Sequence, residues 1–214
     1  MFARLDRSLI SSLPSDAATV GTKQPGGAMP VTPEYDANKL KQLILYVAEQ
    51  LLEDRHGGAT KLNKVLFFAD FAHMRMHGRP ITGVPYQKLE HGPAPRTLTS
   101  ISAELVRDKQ ATLKREAFLG YKFERFERFV PLVPADLSVF EPDEIDTVNQ
   151  VIADLAGFTA RQVSDLSHEE FGWQMVDYNE TIPYATAGLR KAELTPSIEA
   201  HARLLAIELG AAAS

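Results

Sequence analysis

One stretch of this 214-residue chain constrains the fold more than any other. Between Thr60 and Met76, Leu62, Val65, Leu66, Ala69, Ala72 and Met76 recur at helical spacing. Phe67, Phe68 and Phe71 widen the stripe until little of the helix circumference is left polar. A surface helix shows one apolar face; a helix this apolar must be covered on most sides. Thr60 is the expected N-cap, and Gly78 and Pro80 end the run.

The flanking segments read as the cover. Asp36 suits an N-cap, and Leu40, Leu43, Ile44, Val47 and Leu51 follow at helical spacing until His56-Gly57-Gly58 stops them. Residues 80–95, rich in Gly and Pro, predict short extended pieces joined by turns. A helix is predicted from Arg96 to Asp108. Two strand-like runs follow, Ala111–Leu119 and Tyr121–Val133, parted at Gly120, with a phase change that predicts a bulge near Arg125. Pro142 suits the first turn of a helix over Glu141–Ala156, which Gly157 breaks. Short helices are predicted over Ala160–Leu166 and His168–Val176, and a last one over Pro196–Leu209. The expectation is a predominantly helical α+β domain of six to seven helices with a small antiparallel sheet or hairpin, spanning 35–212.

Residues 1–34 are expected to be a disordered tail, because 13–34 hold four Pro and three Gly among small polar residues and cannot offset the entropy of ordering. Met29, just before the folded pattern, is a hypothetical alternative start of translation. The opening residues have no apolar run longer than Met1-Phe2-Ala3, short of the roughly seven a secretory signal needs. No stretch approaches the roughly 18 apolar residues of a membrane span. The chain has no cysteine, which removes disulfides, thiol catalysis and cysteine-bound zinc. A cytoplasmic protein is expected.

Net charge is −5, which disfavours a generic nucleic-acid binder. The charge is unevenly placed: Lys61–Arg128 holds 13 Lys/Arg against 7 Asp/Glu, and Glu141–Glu180 holds 1 against 10. Either the two segments pack and partly neutralise each other, or one of them faces a partner of opposite charge.

Candidate chemistry is sparse. His73 and His77 have a chelating i,i+4 spacing, with Asp70 one turn earlier, but no third ligand is evident in the sequence. A helix C-terminal turn rich in His and Arg that complements the dipole is the better explanation of them. His168-Glu169-Glu170 fits a helix start capped by Ser167, with Glu170 three residues on. Trp173 suits a core or interface anchor. Lys61 and Lys64, on the apolar helix, are expected to lay their stems over the core and reach water with their ammonium groups. No phosphate loop and no Gly-x-Ser-x-Gly occurs. No catalytic, metal or cofactor residue is assigned.

Three segments, in order, resemble the Panacea or SocA-like antitoxin domain. The first is Lys61-Leu62-Asn63-Lys64-Val65-Leu66-Phe67-Phe68-Ala69-Asp70 with Gly78-Arg79-Pro80-Ile81-Thr82-Gly83. The second is Tyr86-Gln87-Lys88-Leu89-Glu90-His91-Gly92-Pro93. The third is Leu166-Ser167-His168-Glu169-Glu170, then Trp173, then Ile182-Pro183-Tyr184. The pattern departs at His91, where many members carry an aromatic residue. The resemblance spans roughly 36–190 and implies a non-enzymatic antitoxin, bacterial or phage, that neutralises a toxin by direct binding, alone or as an oligomer with it. Some members are linked to proteolytic delivery of the toxin. Scaffold or partner-binding candidates are Lys61, Lys64, Phe68, Asp70, His91, Gly92, Pro93, His168 and Trp173. The alternatives are a nucleic-acid-linked regulator using the basic 61–128 region, and a metal-dependent hydrolase built on Asp70, His73, His77 or His168.

Overall fold

A computed structural model describes residues 33–117 and 125–189. Helix α1 (Ala37–Gln50) starts at Asp36, whose side chain accepts from Lys39 N at 2.9 Å. It buries Leu40, Leu43, Ile44, Leu45, Val47 and Ala48. Helix α2 (Ala59–His77) is the predicted apolar helix, and from Lys61 to His73 every residue but Asn63 is buried. Its N-cap is Gly58, not Thr60: Leu62 N already donates to Gly58 O at 3.0 Å, so Thr60 falls inside the first turn. Gly78, at φ 72°, closes it in the left-handed conformation that glycine adopts without steric cost.

The Gly/Pro-rich stretch yields two-residue strands β1 (Tyr86–Gln87) and β2 (Ala94–Pro95). With β5 (Thr181–Ile182) they form an antiparallel sheet in the order β2-β1-β5, pairing Tyr86 with both Pro95 and Ile182. Helix α3 (Leu98–Arg107) buries Ile101 and Leu105. A hairpin of β3 (Ala111–Ala117) and β4 (Arg125–Pro131) follows. Its register runs unbroken from Ala111↔Pro131 to Ala117↔Arg125, so no bulge interrupts the described pairs at Arg125. The hydrophobic phase change that predicted one begins at Tyr121 and Phe123, outside the described residues.

Helix α4 (Pro142–Asp154) has Pro142 in its first turn, and Glu141 N donates to the Glu144 carboxylate at 2.9 Å. Helix α5 (Ala160–His168) opens on a Thr159–Gln162 capping box. It runs two residues past the predicted end. Ser167 therefore caps nothing: it lies within α5, its hydroxyl donating to Ser164 O at 2.7 Å. Glu170 takes the N-cap position of α6 (Phe171–Met175). The chain then adds β5 and a 3-10 turn over Tyr184–Gly188. The described residues hold six helices and two small antiparallel sheets around one hydrophobic core centred on α2, a predominantly helical α+β arrangement. The predicted tail (1–34, apart from its last two residues) and the Pro196–Leu209 helix lie outside the described residues.

Candidate functional site

The Lys-x-Asn-Lys start of α2 works as a set of clamps. Its fold positions Asn63 and Lys64 beneath the turn between β1 and β2, where Asn63 Nδ2 and Lys64 Nζ both donate to Pro93 O, at 3.2 and 2.9 Å. Gly92 must be glycine there. Its φ is 93°, and an added Cβ would collide with Ser167 Oγ and come within 2.7 Å of Lys64 Nζ. One carbonyl thus ties α2 to the His91-Gly92-Pro93 turn, and the same spot abuts the end of α5.

The expectation that both lysines reach water is wrong. Lys61 and Lys64 are fully buried. Lys61 Nζ pairs with Asp54 at 2.5 Å and donates to Phe158 O at 3.0 Å. Its neutralised charge explains how a cation is tolerated in a helix's first turn. Burial would raise the Asp54 carboxyl, but Lys61 and the His56 amide hold it below its ordinary value. Among the described residues Lys64 has no such carboxylate. Desolvation lowers its pKa to about 7, because an ammonium facing one neutral carbonyl has lost more hydration than it has regained.

Beyond Gly92 the third segment completes the cluster. The His168 ring stacks on Trp173 at 4.2 Å, and Lys88 Nζ lies 4.4 Å above the same indole while donating to Val176 O at 2.9 Å. Burial lowers the His168 pKa, helped by the charges of Lys64, His91 and Lys88. His168 Nε2 and Trp173 Nε1 have no hydrogen-bond partner among the described residues. His91 is exposed at the rim. Past Trp173, Met175 and Tyr178 are 64% and 61% exposed.

The other candidates lie elsewhere. Phe68 is a core residue, edge-on to Phe67 at 5.4 Å. Asp70 is a buried hub that accepts from Thr82 N at 2.7 Å, Thr82 Oγ1 at 2.6 Å and Tyr86 OH at 2.8 Å. Burial raises its carboxyl above the ordinary value despite these bonds. With its oxygens so engaged, Asp70 anchors the Thr82–Tyr86 segment and does not join His73 and His77. Those two rings stack on each other at 4.4 Å at the far end of α2. Sequence reasoning missed Thr82, Tyr86, Lys88 and Arg128 because each acts through contacts distant in the chain. Thr82, Tyr86 and Lys88 did lie within the recognised segments, which was the available signal; Arg128 had none.

The charge asymmetry is met in part inside the molecule. Arg75 pairs with Glu170, Arg79 with Asp143 and Glu144, and Lys39 with Glu144. Arg128 is buried against main-chain carbonyls. Arg96, Arg107, Lys109, Lys114 and Arg115 of the basic segment stay exposed. No helix among the described residues is long and apolar enough to cross a membrane.

No curated protein and no solved structure matches the chain. A family model does, over residues 62–174, described as antitoxin SocA-like, Panacea domain. That match begins one residue after Lys61, contains Asn63, Lys64 and the Gly92-Pro93 turn and ends just beyond Trp173, so its span holds every residue of the Lys64–Pro93–His168–Trp173 cluster. On that match, extending over more than half of its length, the chain belongs to the SocA-like antitoxin family as a Panacea domain.

Proposed function

We propose that this protein is an antitoxin that neutralises a toxin encoded beside it by stoichiometric binding, without catalysis, and that the α6 end of the cluster is part of its contact surface. The observation that carries the surface is composition in place. Trp173, Met175 and Tyr178 sit at or near the surface within six residues, beside Lys88 and, across the stacked His168, His91. Aromatic residues and methionine are enriched at the cores of protein interfaces, and a few such anchors carry most of the binding energy. Behind them Asn63 and Lys64 hold α2 to the Gly92 turn, and Gly92 packs closely against Ser167 of α5, which suits a rigid platform. Family membership supports the antitoxin role; the toxin's identity is a property of the neighbouring gene.

Co-expression tests this directly. The neighbouring gene's product should arrest growth alone, and this chain should restore growth and copurify with it in fixed stoichiometry. Met175→Asp combined with Tyr178→Asp should abolish rescue and copurification while the circular dichroism spectrum stays unchanged. A neighbour that is harmless alone, or that forms no complex, would sink the antitoxin reading. Full rescue by the double variant would move the contact surface elsewhere.

A further inference from the structure

The C-terminal turn of α2 faces the first turn of α4, and the juxtaposition supplies the third ligand that the sequence lacked. His73 and His77 lie on one face of α2, four residues apart. Asp143, from α4, brings Oδ2 to 3.6 Å from His73 Nε2 and 3.5 Å from His77 Nδ1. We propose that His73 Nε2, His77 Nδ1 and an Asp143 oxygen form a binding site for a divalent transition-metal ion, with zinc the best chemical fit.

Three features favour a ligand over a plain helix-end contact. First, His73 is fully buried, yet its Nε2 has no hydrogen-bond partner among the described residues. An unpartnered buried polar atom is uncommon and calls for an explanation. Second, His73 Nδ1 lies 2.8 Å from Arg79 O. That carbonyl can only accept, so Nδ1 carries a proton, and in the neutral ring Nε2 keeps a lone pair 3.6 Å from Asp143 Oδ2. A ring nitrogen held by a main-chain carbonyl is the usual support of a metal-bound histidine. Third, the spacing is right. Ligand atoms roughly 2.0–2.2 Å from a tetrahedral ion stand about 3.3–3.6 Å apart, which matches both Asp143 distances. All three ligand atoms lie within 4.8 Å of one another, and His77, 36% exposed, is free to turn the rest of the way.

Two histidines and one carboxylate leave a fourth position for water. Arg79 stands on the same carboxylate, with Nη2 at 3.1 and 3.3 Å from the Asp143 oxygens. Its other arm is held by Glu144 at 2.7 Å, so it keeps a carboxylate partner when Asp143 turns to the ion. The ion would bolt the end of α2 to the start of α4.

The test uses the full chain, stripped with chelator and titrated with Co²⁺, read by visible absorption and then by displacement with Zn²⁺. One equivalent of cobalt should bind with the intense absorption of a four-coordinate site. Zinc should bleach it, and both metals should raise the thermal midpoint. His77→Ala and Asp143→Asn, at partly exposed positions, should each weaken cobalt binding at least tenfold without unfolding the chain, whereas His56→Ala should leave it unchanged. His73→Gln should remove binding, and the first two variants keep the test decisive if it fails to fold. Absence of cobalt uptake by the stripped chain, or uptake undiminished when His77 and Asp143 are both replaced, overturns the site.

Discussion

A lysine that has left water keeps its proton only if something replaces the water, and the two buried lysines of α2 solve this differently. Lys61 meets Asp54; Lys64 meets only Pro93 O among the described residues. Both stand on an apolar stripe, where a lysine ordinarily lets its ammonium reach the surface. Nothing local distinguishes Lys61 and Lys64 from such snorkelling residues, because the covering groups come from the 54, 93 and 158 regions. The consequence for Lys64 is a pH effect of definite sign. Its folded pKa is about 7, below the ordinary lysine value near 10.4. Between those values the unfolded chain binds a proton that the folded chain has released, so stability rises with pH across that window. Below pH 7 the folded protein holds the buried charge and the penalty is complete. Replacing Lys64 with Met removes this dependence. Urea unfolding at pH 6, 7.5 and 9 should show wild type gaining on Lys64→Met by on the order of 1 kcal/mol per pH unit above 7. Parallel profiles would show that the ammonium is hydrated in a way the structure does not contain.

At the scale of elements, the joints matter more than the helices. Arg128, on β4, reaches the turn after α1 and donates to Leu51 O at 2.6 Å, Gly57 O at 3.2 Å and Asp54 O at 3.0 Å. A guanidinium at a helix C-terminus satisfies orphan carbonyls and complements the dipole. Gly57 lies so close that an added Cβ would come within 2.8 Å of the guanidinium. Arg128→Ala strands several buried carbonyls at once and should cost about 3 kcal/mol or more. Arg128→Lys should recover only part, since one ammonium cannot span the same set. Thermal and urea unfolding would measure both, and an Arg128→Ala variant within about 0.5 kcal/mol of wild type would mean water fills the role. The helices themselves were readable in advance: Asp36, Pro142, Gly78 and the apolar spacings are local signals. The joints were not. Two-residue strands such as Tyr86–Gln87 have no periodicity to detect, and Ser167 satisfies a capping pattern while sitting inside a helix that Thr159 and Gln162 had already started. The site was half legible for the same reason. Motif order pointed to Lys64, Gly92, Pro93, His168 and Trp173, but only folding shows that they meet, and only folding brings Asp143 to His73.

The whole molecule is larger than the segment its family model spans. Residues 62–174 leave out α1, the first residues of α2, β5 and the Tyr184–Gly188 turn, yet the core is built across those limits. Helix α1 contributes five large apolar side chains, Leu40, Leu43, Ile44, Leu45 and Val47, each at most 1% exposed. At about 1.5–3 kcal/mol each, their burial is worth on the order of 10 kcal/mol, comparable to the net stability of an ordinary domain. On the other side, β5 pairs with β1, the Tyr184 ring stacks on Phe71 at 4.9 Å, and Tyr184 OH donates to Val84 O at 2.9 Å. Arg75 Nε donates to Ala187 O at 2.7 Å. Lys61 and its partner Asp54 would both be lost, leaving Phe158 O without its donor. A fragment of residues 62–174 should therefore fail to fold: weak near-ultraviolet dichroism, rapid proteolysis and no cooperative urea transition. A chain of residues 33–189 should instead unfold in one cooperative step, with the same midpoint read by Trp173 fluorescence and by far-ultraviolet dichroism. If the short fragment unfolds cooperatively on its own, the α1 face is a docked accessory to a smaller self-sufficient core. If 33–189 shows two separated transitions, α1 and the 181–188 segment do not share the cooperative unit that their buried contacts with α2 require.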